Sequence, residues 1–234
     1  LEPEILKNFD YKYKDKDKSL VVDATFHPHM GIDESGKGDF FGPLCIAGVY
    51  ATAEQIALLK SIGVKDSKEM SAIAIAKVAQ GIRNTCAHHI VQINPLKYNE
   101  LYSQFKNLNR LLAWGHATVI EQLAEKTGCR DVLIDKFGSE ELVLTALKRK
   151  NLEINLTQRT HAEEDLVVAA ASILARDTFV KGIERLATEY QVKLPKGASA
   201  GTVAAGRAFV ARHGKELLGA VAKLHFKTTG VVLN

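Results

Sequence analysis

Residues 31–44, Gly-Ile-Asp-Glu-Ser-Gly-Lys-Gly-Asp-Phe-Phe-Gly-Pro-Leu, set the tightest limit on how this chain can fold. Met30–Glu34 reads as a strand, the glycines as a turn, and the apolar run Leu44–Tyr50 as a second strand. Asp33 and Glu34 are neighbours, and in a regular strand neighbours point to opposite faces. Both reach one site only where the strand is ending and the chain bends at Ser35-Gly36. Glycine there lets backbone come close to a ligand. Acids beside glycine amides and a lysine partly oppose one another in charge. The combination is coherent if a divalent cation sits on the carboxylates and a phosphodiester lies against the turn. The reading is metal-dependent phosphodiester chemistry.

Bulk properties leave room for that reading. At 234 residues the chain suits one large domain or two small ones and can bury a substantial core. A formal net charge of +4 suits an anionic partner without demanding one. Cys45, Cys86 and Cys129 are scattered and form no CxxC pair. A zinc site or disulfide framework is therefore not expected, and a reducing cytoplasm is the simplest setting. No run approaches the roughly 18 apolar residues of a membrane span. The chain opens on Leu1 rather than Met, which suggests a fragment.

Residues 1–20 are lysine-rich and read as a solvated linker, with a nucleic-acid-touching arm as the alternative. Val21–Phe26 suggests a short strand. Helical periodicity runs from Ala53 to Lys60 and from Ser71 to Asn84, with Ser71 as N-cap. His89–Ile93 reads as a strand stopped by Pro95. Asn107–Lys126 carries apolar residues at helical spacing and ends at Gly128. Asp131–Asp135 is an apolar run bounded by acids, the pattern of a buried strand with a carboxylate at its end. Helix is expected at Glu140–Arg149 and strand at Leu152–Leu156. The longest helix spans Glu163–Tyr190, with further helices at Thr202–His213 and Lys215–Ala222. Early strands followed by alternating strands and helices give an α/β domain with a mixed sheet.

Asp135, set beside Asp33 on a neighbouring strand, would repel it unless a cation neutralised both. Its competing role is an N-cap for a helix starting near Ser139 or Glu140. A third contributor lies among Glu163, Glu164 and Asp165, where acids are also explained by the helix macrodipole. Magnesium takes oxygen ligands, keeps several waters and is held by few carboxylates plus substrate phosphate. Gly36-Lys37-Gly38 lacks P-loop spacing, and no GxGxxG opens a helix, so nucleotide-cofactor binding is unsupported. Asp66-Ser67-Lys68 and Ser172 offer small polar groups to a nucleic-acid backbone, or else serve local structure. No two of the eight histidines are four apart, which excludes an HExxH zinc helix. Leu111 and Trp114 read as core.

These segments resemble the type 2 and type 3 ribonuclease H family. The resemblance rests on residues 31–44, Val-Lys-Asp-Ser-Lys (64–68), Asp-Val-Leu-Ile-Asp (131–135) and Val-Ala-Ala-Ala-Ser-Ile-Leu-Ala-Arg (168–176), in that order. It covers the chain from about His29 onward and is strongest to bacterial ribonuclease HIII. Lys37 replaces the arginine usual in type 2 enzymes, and a glutamate rather than an aspartate follows Ala162. Residues 194–198 and 223–229 also follow the type 3 pattern.

The resemblance implies a ribonuclease H-like fold, a central mixed sheet flanked by helices with additional C-terminal helices. It implies an endonuclease cutting the RNA strand of RNA–DNA hybrids with Mg²⁺ or Mn²⁺, leaving 5′-phosphate and 3′-hydroxyl ends. Asp33, Glu34, Asp135 and Glu163 would be the catalytic and metal-holding quartet. Gly36, Lys37 and Gly38 would meet the 2′-hydroxyl and phosphate near the cut, with Ser67, Lys68 and Ser172 as further substrate contacts. Residues 26–234 would form the catalytic domain. Residues 1–25 would be a linker or the remnant of a missing N-terminal substrate-binding domain, with weaker hybrid affinity as the expected result. A monomer is expected. The alternatives are a type 2-like enzyme incising duplex DNA at single ribonucleotides, and a non-catalytic nucleic-acid-binding module.

Overall fold

The structure, a computed structural model, describes residues 27–234. The lysine-rich segment, the expected strand at 21–26 and the linker assignment of residues 1–25 lie outside the described residues. Five strands form one sheet: β1 (His29–Ser35), β2 (Leu44–Ala51), β3 (Ala87–Ile93), β4 (Asp131–Asp135) and β5 (Asn155–Arg159). Their spatial order is β3-β2-β1-β4-β5. β2 pairs antiparallel with both β1 and β3, whereas β4 lies parallel to β1 and β5. The mixed sheet expected from the sequence is thus present, with the acid-bearing strand at its centre.

Alternation along β1 and β2 assigns each face to its own helices. Met30, Ile32, Leu44 and Ile46 pack with Leu111, Leu112, Val119 and Ile120 of α4 (Leu108–Thr127). Asn107 caps that helix, accepting from the Arg110 amide, and Gly128 ends it in the left-handed region at φ 73°. α3 (Pro95–Phe105) and α5 (Glu140–Lys148) share this side. On the other face Ala47, Val49 and Ala51 meet α1 (Ala53–Ser61), α2 (Ala72–Thr85) and Ala169–Ala171 of α6 (Leu166–Glu189). The small alanines let α6 lie close to the sheet. At Gly31 a Cβ would stand 2.4 Å from the Val167 carbonyl carbon and from the Val168 nitrogen, so no side chain fits between β1 and α6.

A third apolar cluster joins the loop after β1 to the C-terminal helices α7 (Ala200–His213), α8 (Leu218–Val221) and α9 (Lys227–Leu233). It is built on Phe40, Phe41, Phe179, Phe209, Val221 and Val232. Lys223 lies at its edge, fully buried. Its ammonium donates to the carbonyls of Asp39 and Gly42, each at 2.8 Å, and of Phe41 at 3.5 Å. Burial pulls its pKa down to about 8, so it keeps its proton at neutral pH.

Several sequence expectations need correction. β5 lies three residues beyond the expected Leu152–Leu156, because Leu152 is used to close α5: its amide donates to the Leu147 carbonyl at 3.2 Å. α6 begins at Leu166 rather than Glu163, because the Asp165 carboxylate accepts from the amides of Val167 and Val168 and so sets the N-cap. Residues Ala162–Glu164 form a separate 3-10 turn. Pro95 does more than stop β3, since it is the first residue of α3, where its missing N–H costs nothing. Lys215–Ala222 divides into a 3-10 turn at Lys215–Leu217 followed by α8. Among the described residues no helix is long and apolar enough to cross a membrane.

Two measurements check these packing arguments. Lys223→Met strands two or three buried carbonyls and should lower stability by roughly 3 kcal/mol in urea unfolding at pH 7; an unchanged midpoint would contradict the burial. His29 Nε2 stands 3.0 Å from Asp165 Oδ1, tying the start of β1 to the start of α6. Burial lowers the His29 pKa, but hydrogen bonds donated by its ring to Asp165 and to the His27 carbonyl, with the nearby carboxylate charges, more than offset it, so the net shift is upward. The pair therefore stabilises fully below the ordinary histidine range and fades as pH rises through the raised value. His29→Gln should cost roughly 1 kcal/mol at pH 6 and less at pH 8; an equal cost at both would rule out the ion pair.

Candidate active site

β1 ends at an acid pair, and the sheet decides where each acid goes. Parallel pairing sets Met30 against Val132, Gly31 against Leu133 and Ile32 against Ile134. One residue further on, Asp33 comes level with Asp135 at the end of β4. Asp33 shares its face with Gly31, toward α6, and is hydrogen-bonded by Ser172 of that helix. Glu34 shares its face with Ile32, toward α4, where its Oε2 is 3.1 Å from His116 Nε2. The two neighbours do point to opposite faces of the sheet. Both still open into one cleft, because the strand ends there.

That cleft has a volume of about 190 Å³ and is lined by Asp33, Glu34, Asp135 and Glu163, all four of the expected acids. Glu163 arrives on the 3-10 turn that precedes α6. Glu164 does not line the cleft, and Asp165 is committed to capping α6 and to His29. Ser67, Lys68 and Ser172 line the same cleft. Ser67 is buried and its hydroxyl is 2.9 Å from that of Ser172, so the two form a short chain leading to Asp33. Lys68 is largely exposed and donates to Glu163 Oε1 at 3.1 Å. The Gly36–Lys37–Gly38 turn follows Ser35 at the rim. Gly36 has φ +91°, where a Cβ would also strike the Pro43 carbonyl at 2.3 Å, so only glycine fits. Gly38 faces open space. Lys37 donates to Glu34 Oε1 at 3.3 Å and lies 5.8 Å from the Phe137 ring centroid.

The electrostatics divide the neighbouring acids. Asp33 is pushed up to about 7, first by burial and then by the charges of Glu34 and Asp135, against hydrogen bonds from Ser172 and the Glu34 amide. Glu34 is shifted the other way despite its burial, because His116 and Lys37 both favour its charged form. Glu163 is also lowered, by backbone hydrogen bonding and then by Lys68. Among the described residues no three of these groups yet meet at a common point, since each carboxylate is turned onto its own internal donor. Among the described residues Asp33 forms no ion pair, although Lys68 across the cleft feels its charge, while two further carboxylates raise its pKa. An all-oxygen donor set around a buried acid beside two further carboxylates fits a hard divalent cation, which would offset their mutual repulsion.

Sequence reasoning passes over two residues at the site, one lining the cleft (Arg176) and one buried behind it against Glu34 (His116). Arg176 falls one helical turn after Ser172 and so shares its face; the spacing from Ser172 was the available signal. His116 lies inside an apolar helix, and only its polarity in that setting hinted at a partner.

A family model described as Ribonuclease HII matches residues 30–229. Ribonuclease HIII of Protochlamydia amoebophila is 55% identical over 233 residues, covering 100% of this chain and 75% of the relative. Ribonuclease HIII of Chlamydia pneumoniae is 50% identical over 231 residues, covering 97% and 75%. Among solved structures, Bst-RNase HIII in complex with Mn²⁺ superposes with a TM-score of 0.83 at 30% identity, covering 88% of this chain and 69% of that one. Aquifex aeolicus RNase H3 gives 0.72 at 28%, covering 85% and 72%. By sequence, by fold and by the acids its sheet brings level, the chain belongs to the ribonuclease HII family, alongside its ribonuclease HIII members, and is a metal-dependent ribonuclease.

Proposed function

We propose that this enzyme hydrolyses the RNA strand of RNA–DNA hybrids, with residues 26–234 as the catalytic domain. Asp33, Glu34, Asp135 and Glu163 hold Mg²⁺ or Mn²⁺. The observation that carries this reading is the level placement of Asp33 and Asp135 on adjacent parallel strands, with Glu34 and Glu163 in the same cleft. Two such ions, when bound, supply charge stabilisation at phosphorus and a more acidic attacking water.

The chain's own groups bind and orient. Amides of Gly36 and Gly38, with Lys37, meet the phosphate and 2′-hydroxyl beside the cut, the features by which a protein tells RNA from DNA. Lys68 and Arg176 line the cleft wall and take neighbouring phosphates. Ser172, backed by Ser67, holds the Asp33 carboxyl in place. Water attack on phosphorus with departure of the 3′-oxygen leaves a 3′-hydroxyl and a 5′-phosphate. The free cysteines, two of them buried, suit a reducing cytoplasm, and the enzyme is read as a monomer.

Asp33→Asn and Asp135→Asn should each lose at least about a thousandfold in cleavage rate on a labelled continuous hybrid with Mg²⁺. Wild-type rates in both would overturn the proposal. Stability should move the opposite way for Asp33. Its folded pKa lies above the ordinary carboxyl value, so stability falls as pH rises through the window between them, from about 4 to about 7. In EDTA at pH 8, Asp33→Asn should therefore unfold at a higher temperature than wild type. A duplex with one embedded ribonucleotide tests the type 2-like alternative: cleavage there as fast as on the continuous hybrid would favour it. Hybrid binding without product under either metal would leave a non-catalytic binding module.

A further inference from the structure

His116 is fully buried, yet it sits on the face of α4 that packs against the sheet, in a cluster of Leu112, Val119, Ile120 and other apolar residues. A residue selected only for packing there would be apolar, because an imidazole loses hydration that one hydrogen bond barely restores. Among the described residues the ring makes one polar contact, Nε2 to Glu34 Oε2 at 3.1 Å, and Nδ1, also buried, has no hydrogen-bond partner. A carboxylate oxygen accepts, so the shared proton is assigned to Nε2. Phe137, two residues after Asp135, holds the ring from the other side, with centroids 4.6 Å apart.

The two oxygens of Glu34 therefore have unlike donors. Oε2 is held by a rigid ring packed inside the protein. Oε1 is held by Lys37, whose side chain is 38% exposed and free to swing on a flexible stem. We propose that His116 is a positioning residue for Glu34: it keeps Oε2 for itself, fixes the plane of the carboxylate, and leaves Oε1 as the oxygen offered to a divalent cation once Lys37 turns away. The proposal rests on the reading of Glu34 as a metal ligand. Hydrogen-bonded partners of this kind orient ligating carboxylates, and their loss typically weakens metal binding about 10- to 100-fold.

The test is Mn²⁺ titration by calorimetry, with no substrate, on wild type, His116→Phe and His116→Gln, each also combined with Glu34→Gln. Thermal unfolding in EDTA checks the fold of each. His116→Phe should weaken Mn²⁺ about 10- to 100-fold, and cleavage should recover as Mn²⁺ is raised, with the KM for hybrid unchanged. His116→Gln, whose amide reaches as far as Nε2 does, should keep most of the affinity. In the Glu34→Gln background His116→Phe should add nothing. Wild-type Mn²⁺ affinity in His116→Phe, or an equal loss with and without Glu34, would overturn the proposal. If His116→Phe does not fold, His116→Asn replaces it: this amide is too short to reach Glu34, and affinity equal to that of His116→Gln would likewise overturn it. Failure of Glu34→Gln itself to weaken Mn²⁺ in a wild-type His116 background would instead refute the metal assignment beneath it.

Discussion

At Gly31 the backbone of β1 approaches α6 so closely that even a methyl group would lie 2.4 Å from main-chain atoms of Val167 and Val168. That distance fixes the helix against the strand two residues before Asp33. Ser172 is then carried to the Asp33 carboxyl, Arg176 to the cleft wall and Glu163 to its mouth. The His29–Asp165 pair closes the same junction from the other end, joining the first residue of β1 to the cap of α6. Backbone contact, rather than a long side chain, sets the spacing, so the site inherits the rigidity of a sheet and a 24-residue helix.

The acids are placed at a cost to the fold. Burial and two nearby negative charges work against an ionised Asp33, and a hydrophobic pair at these strand ends would be more comfortable. The sheet contains the problem by sending the neighbours to opposite faces. Among the described residues Glu34 receives two cationic or ring donors, His116 and Lys37, whereas Asp33 receives a hydroxyl and a backbone amide. Unequal support leaves one acid readily charged and the other waiting for a counterion, the pattern of a site built for metal chemistry rather than for stability.

Much of this was readable in the amino-acid sequence because its strongest signals are local. The glycine turn between two apolar runs, the capped periodicity of α4 and the apolar run ending in Asp135 each depend on residues within a few positions, and each gave the observed element. Where the structure departed, a side chain at a distance or a cap had overridden periodicity. Asp165 took two amides and delayed α6. The close of α5 consumed Leu152 and displaced β5. α3 and α9 were not anticipated, since they are short and mix polar residues with exposed leucines such as Leu96 and Leu233. His116 meets a partner 82 residues away. No spacing rule reports such a meeting, because it exists only after the sheet and α4 have packed.

Lys223 ties the near end of the chain's last stretch to the loop that begins at the glycine turn, across a sequence separation of 184 residues from Asp39. The loop's carbonyls face one another around that ammonium and, without it, would turn outward to water. The shape of the cleft's rim thus depends on a single ammonium held in the C-terminal cluster, far from Asp33 and Glu34 in sequence.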